Sequence, residues 1–242
     1  MKKKVSLCCT LIIVAFCMAI AHGATAAIVD FNGPMSLDAL IAGSAAGNQF
    51  RVDDKIFSGF TYAFSGSQGA QVLAPSSITV TPITDALNPG LQFTGMWFAQ
   101  NGQFLVSSIG YGVATAAAGN ATNGMSLEVL GGSVGRGVVA AFESARPLGA
   151  GGAANILAYA TDASSHLFNS AAFDPTSGTF RVSEGLGVIS RGLFAEILVL
   201  KNQFSEVPSA GAPVPIPGSI LLVGPGLAGL AIVRKRLGVH SG

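Results

Sequence analysis

The apolar residues between Ala27 and Glu206 come in short runs, each closed by a turn signal, and no helical periodicity persists. This pattern restricts the fold more than anything else in the chain. Ile78 to Ile83 alternates apolar residues with threonine, as a half-buried strand does. Phe180 and Val182 alternate with Thr179, Arg181 and Ser183, which predicts a wet face and a dry one. Further strands are expected at 27–31, 55–65, 91–99, 104–116, 126–130, 137–144, 156–161, 170–173 and 193–199, giving about ten in all. Asn88-Pro89-Gly90, Asn101-Gly102 and Asn123-Gly124 read as turns. Gly131 to Gly137 reads as a hairpin turn that pairs 137–144 with 126–130, and Pro147 to Gly152 as a loop. Ser36 to Ile41 is one helical turn capped by Ser36, or a loop. The expected fold is all-β, a single antiparallel, jelly-roll-like β-sandwich without internal repeat or second domain boundary.

The two ends have a different character. Residues 1–26 read as a secretory signal peptide. Lys2, Lys3 and Lys4 precede an apolar stretch from Leu11 to Ile20, and Ala24-Thr25-Ala26 supplies a cleavage pattern with the cut after Ala26. Ala21-His22-Gly23 offers a second cut, and an uncleaved anchor is the alternative. Phe16 before Cys17 argues against a lipoprotein. All three cysteines, Cys8, Cys9 and Cys17, lie in this segment, so the processed chain has neither disulfide nor thiol nucleophile. Its stability has to come from packing.

At the other end, residues 207–217 form a linker with four prolines, which favours an extended spacer of ~3 Å per residue. Gly218 to Val233 carries no charge and is followed at once by Arg234, Lys235 and Arg236. As a helix its sixteen residues span ~24 Å, short of the ~20 residues a comfortable crossing needs, and Pro225 and four glycines weaken it. It is apolar on every face, unlike the amphipathic helix of a soluble domain, and the basic end is expected on the cytoplasmic side.

The order Val214, Pro215, Ile216, Pro217, Gly218, apolar span, then Arg234 to Arg236 resembles the PEP-CTERM sorting signal of Gram-negative bacteria. That family usually has Glu where this chain has Ile216, and related tails carry an apolar residue there. The resemblance implies an exosortase-like sorting enzyme as partner, transient membrane anchoring through residues 218–236, and delivery to the cell surface or beyond. The body (27–206) is similar, more loosely, to sandwich domains of PEP-CTERM proteins, through Asp54 to Phe60, Ile78-Thr79-Val80, Gly90 to Phe93 and Asn202 to Ser205. That likeness implies fold and setting and carries no catalytic residues.

From Ala27 to Glu206 seven Lys/Arg stand against twelve Asp/Glu, a net −5, which disfavours nucleic acid or anionic polymers as partners. His166 is the one histidine between the signals, so a His/Cys metal centre is not expected, and no cofactor is implied. Asp162, Ser164, Ser165 and His166 carry the residue types of a hydrolase triad but lack a nucleophile elbow and read as a surface loop. Asp53, Asp54, Glu128, Glu143, Glu184 and Glu196 are the carboxylates from which a glycosidase pair would be drawn, and they read instead as solvated-face charges. Asp53-Asp54 with Asn48, or Asp162 with Asp174, are oxygen sets of the kind calcium takes. Gly224, Gly226 and Gly229 match a dinucleotide fingerprint in the wrong context, inside the apolar tail. Trp97, in an apolar run, reads as core; Tyr62, Tyr111 and Tyr159 are weaker candidates for stacking on sugars. Asn120-Ala121-Thr122 is a sequon read as a turn. The expectation is an exported, surface-sorted, non-enzymatic protein of the exopolysaccharide or biofilm matrix, with a secreted carbohydrate-binding module as the alternative and extracellular polysaccharide as a partner.

Overall fold

The computed structural model describes residues 26–116, 120–148 and 153–208. The expected cleavage residue Ala24, the sorting motif from Val214 to Arg236 and both terminal helices lie outside them; Ala26 is exposed and in no element. No helix among the described residues is long and apolar enough to cross a membrane.

Among the described residues fourteen strands form two sheets. In chain order they are β1 (Ile28–Asp30), β2 (Met35–Ser36), β3 (Gln49–Val52), β4 (Lys55–Gly66), β5 (Thr79–Ile83), β6 (Gly90–Gln100) and β7 (Phe104–Thr115). They continue as β8 (Asn120–Val134), β9 (Gly137–Pro147), β10 (Ala154–Thr161), β11 (Ser165–His166), β12 (Phe168–Thr176), β13 (Phe180–Ser190) and β14 (Phe194–Pro208). The larger sheet has the order β1-β3-β4-β7-β13-β9-β10-β11, the smaller β12-β8-β14-β6-β5-β2. Helix α1 (Leu37–Ala45) is capped by Ser36, whose hydroxyl accepts from Ala39 N at 3.2 Å, and it buries Leu37 and Leu40.

The two sheets pack as a β-sandwich with an aromatic interior. Tyr111 stacks on Phe60 at 5.5 Å and lies near Phe57 and Phe93. Phe204 meets Phe57 and Phe180. Trp97 is fully buried, as its run predicts. The alternation expected at Phe180–Ser183 is present, with Phe180 and Val182 inside and Arg181 and Ser183 outside. Asn101 and Gly102 both take positive φ, 50° and 82°, in a tight turn closed by Gln103 N donating to Gln100 O at 2.9 Å. The turn is no hairpin: it carries the chain from β6 in the smaller sheet to β7 in the larger, and the two strands do not pair.

Five further expectations are corrected. The sandwich is not wholly antiparallel, because β1 pairs parallel with β3. Asn123-Gly124 is no turn: β8 runs straight through it between β12 and β14. Glycine stands there because a Cβ would meet Ser205 Oγ and, at 3.1 Å, Ala171 O, beside a register shift at Ser205/Glu206. Gly131 to Gly137 is a corner, not a hairpin, and β9 does not pair with β8. β8 pairs with β14 in the smaller sheet, and β9 with β13 in the larger. Both chains of this ribbon cross between sheets side by side, with Arg191 N donating to Arg136 O at 3.0 Å and Leu193 N to Val134 O at 3.2 Å. Gly135 and Arg136 take positive φ, 71° and 62°, which reads locally like a hairpin turn. Val207 and Pro208 belong to β14 rather than to a linker. Glu143 and Glu184 face the interior rather than water.

Gly90 opens β6 where a Cβ would run into the Asn202 carbonyl. Gly90→Ala is expected to cost ~1–3 kcal/mol, read as a lower urea midpoint at unchanged slope. Gly185→Ala, whose Cβ meets nothing within 4 Å, is expected to leave the midpoint unchanged or slightly raised.

Candidate functional site

The outer face of the smaller sheet carries polar side chains in register. One row runs Phe168, Glu128, Lys201, Gln92, Thr81 across β12, β8, β14, β6 and β5. The next runs Ser170, Ser126, Gln203, Gly90, Ile83. At ~4.8 Å between strands each row spans ~19 Å. Lys201 Nζ donates to Glu128 Oε2 at 3.0 Å, Gln92 Nε2 to Thr94 Oγ1 at 3.2 Å, and Gln203 Nε2 to Asn88 O at 3.0 Å, so these side chains are held by neighbours yet keep further polar capacity. A hollow of about 410 Å³ lies over Asn88, Ser126, Ser170, Gln203 and Ser205, with Phe168 at its edge. A second, about 200 Å³, lies over Gln92, Glu128, Leu130, Val199 and Lys201. Phe168 is 55% exposed on the edge strand β12. An exposed ring beside amides, hydroxyls and one ion pair suits a hydroxyl-rich ligand, which needs both a hydrophobic plane and many directional partners.

A second polar cluster is sealed inside. Glu143 on β9 and Glu184 on β13 are directly opposite in register and are 0% and 1% exposed. Tyr111 Oη donates to Glu184 Oε1 at 2.6 Å, and Asn202 Nδ2, from the smaller sheet, donates to the same oxygen and to Tyr111 Oη. Both Glu143 oxygens, Glu184 Oε2 and Asn202 Oδ1 have no hydrogen-bond partner among the described residues. Burial pushes Glu184 up to about 8, with the Tyr111 hydrogen bond pulling the other way. Burial, then the neighbouring Glu184 charge, holds Glu143 well above the carboxylate range. Burial and both carboxylates push the Tyr111 phenol up.

The other residues singled out above scatter over the fold. Tyr62 Oη donates to Leu73 O at 2.9 Å, Tyr111 is buried, and the Tyr159 ring lies 6.4 Å from that of His166. The remaining triad types do not converge: Asp162 Oδ1 accepts from Gly137 N at 3.0 Å, while Ser164 O accepts from Thr161 N and Ser165 pairs with Ala160 in β11. Asp54 is engaged by Lys55 and Asn120, and Asp53 sits in a turn at φ 50°. The sequon Asn120 donates to Asp54 and Glu206. Glu196 is half-buried on β14. Among the described residues no group of three or more His, Cys, Asp or Glu lies together as a metal site would need. Phe168, Gln92, Lys201 and Gln203 escape sequence reasoning. The signal available was alternation, because Leu127, Val129, Leu200 and Phe204 point inward from the same strands.

No protein-family model matches this chain, and no curated protein does. Solved structures of low similarity are found. TmCBM61 in complex with β-1,4-galactotriose is 13% identical over 61% of this chain and 88% of its own, with a TM-score of 0.28. The enzymatically active domain of tailspike protein 4 of bacteriophage CBA120 is 13% identical over 60% of this chain and 19% of its own, with a TM-score of 0.30. A family 11 carbohydrate-binding module from Clostridium thermocellum, in complex with a mixed-linked tetrasaccharide, is 8% identical over 62% and 89%, with a TM-score of 0.24.

Proposed function

We propose that this is an exported, surface-sorted, non-enzymatic protein that holds extracellular polysaccharide in the matrix of a Gram-negative bacterium, using the outer face of its smaller sheet. The export and sorting parts rest on the two end segments, the apolar signal with its Ala-x-Ala site and the Pro-Ile-Pro, apolar, basic tail. The binding part rests on one observation, the in-register platform of Phe168, Glu128, Lys201, Gln92, Ser126 and Gln203. The buried Glu143–Glu184 pair lends no support to hydrolysis, since a glycosidic oxygen reaches it only if the sheets part.

Binding of the exported protein to a neutral glycan array tests the platform. Phe168→Ala, and separately Gln92→Ala with Gln203→Ala, are expected to weaken binding about tenfold, ~1.4 kcal/mol, at unchanged thermal midpoint. Retention of full affinity in both variants overturns the reading. Trp97→Ala is not a useful probe, because emptying that buried site costs ~3–5 kcal/mol of fold stability.

A further inference from the structure

Seven Lys/Arg lie between Ala27 and Glu206. Arg51 pairs with Asp30, Lys55 with Asp54 and Glu206, and Lys201 with Glu128. The remaining Arg136, Arg146, Arg181 and Arg191 form no ion pair among the described residues, although all twelve Asp/Glu of the chain are among them. All four flank one ribbon, β9 with β13, in the larger sheet. Arg146 and Arg181 stand directly opposite each other at one end, both exposed. Such a pair places Cβ atoms ~5 Å apart, and like charges there are destabilising. At the other end the backbones of Arg136 and Arg191 are hydrogen-bonded, and both residues line a cleft of about 380 Å³ with Val138 and Thr161. Asp162 also lines that cleft, its Oδ1 engaged by Gly137 N.

Between the arginine pairs the outer face is a shallow trough. A Cβ at Gly185 or Gly187 meets nothing within 4 Å, so their strand is bare there. Phe142, 44% exposed, stands opposite Gly185, and Leu157 stands opposite Phe142. From position 138 to position 146 the trough runs ~27 Å. We propose that this face is a track for a linear, carboxylate-bearing polysaccharide, clamped by an arginine pair at each end and stacked on Phe142 between them. Guanidinium groups match carboxylates in bidentate geometry, and two separated pairs fit a ligand charged at intervals rather than one small anion. The choice of polysaccharide over nucleic acid rests on the exported setting proposed above; the body's net charge of −5 disfavours either polyanion alike, and the four arginines reverse it only along this ribbon. The track lies on the opposite sheet from the neutral-glycan platform.

Affinity electrophoresis of the exported protein in gels containing polygalacturonate, dextran or double-stranded DNA tests this. Polygalacturonate is expected to retard the parent, and more weakly as salt rises. Arg146→Gln with Arg181→Gln, and Arg136→Gln with Arg191→Gln, are each expected to weaken retardation at least tenfold. Gly185→Leu keeps every charge, fills the trough and is expected to weaken it comparably, with thermal midpoints unchanged. No retardation of the parent, full retardation of the arginine variants, or equal retardation by DNA overturns the track. Phe168→Ala separates the two readings: it is expected to lose neutral glycan while keeping polygalacturonate, and loss of both together overturns the independence of the track.

Discussion

Raising the pH from 5 to 9 is expected to strip the body of much of its folding stability, and Glu143→Gln with Glu184→Gln to abolish that loss. The cause is the sealed pair between β9 and β13. Glu184 is pushed from 4.5 up to about 8, chiefly by burial, and Glu143 is raised well above 4.5 by burial and by Glu184. A carboxyl whose folded value is raised binds its proton more tightly folded than unfolded. Its contribution is fully present below pH 4.5 or so and is lost as pH climbs through the folded value. At 1.36 kcal/mol per pH unit, Glu184 alone accounts for a loss on the order of 4 kcal/mol between pH 5 and 9, against ~5–15 kcal/mol for a whole domain. Glutamine keeps the shape and the acceptor oxygen without a charge to desolvate. The urea midpoint of the parent should fall steeply between pH 5 and 9, and the profile of the double variant should be flat. A parent equally stable at both ends of that range would show that the carboxyls are not held protonated in the core.

Lys55→Met is expected to destabilise the body by ~3–5 kcal/mol, because it strands a buried carboxylate. Lys55 is fully buried at the start of β4, paired with Glu206 on β14 and with Asp54 at 3.2 Å. Asn120 at the start of β8 donates to Asp54 and to Glu206, at 3.3 and 3.0 Å. The cluster thus ties the larger sheet to the smaller one where β14 ends. Burial pushes the Lys55 ammonium down, and the Asp54 charge pulls it back up. Adding Glu206→Gln to Lys55→Met removes the stranded charge and should recover much of the loss in a denaturant titration. If the double variant is no better than the single one, the pair is not what holds this end of the sandwich.

Strand positions were legible because alternation is local. Ile78–Ile83 and Phe104–Ala116 needed only their own residues, and so did the Ser36 cap, although α1 proved longer than one turn; at Asn101-Gly102 the turn was legible but not that it joins the two sheets. The corner at Gly135-Arg136 was not legible: two positive-φ residues between apolar runs read as a hairpin, and only the pairing of β8 with β14 and β9 with β13 shows otherwise. Glu143 failed for a related reason, whereas alternation with Phe180 and Val182 already put Glu184 on the dry face, where its carboxyl was not expected. In β9 Val139, Ala141, Glu143 and Ala145 face in, while Val138, Ala140, Phe142 and Ser144 face out. Both sets are comparably apolar, so nothing in the strand says which side is dry.

The amino-acid order by itself determined the strand-forming runs, the burial of Trp97, the cap of α1 and the sparse, acidic charge of the body, since each depends on near neighbours and composition. Tertiary structure alone decided which sheet each strand joined and, in a strand apolar on both sides such as β9, which face met the other sheet. Phe168, Lys201 and Gln92 came into one row and Arg146 beside Arg181 only through pairings between residues far apart in the chain, and the carboxyls of Glu143 and Glu184 lost their water only when two sheets closed over them.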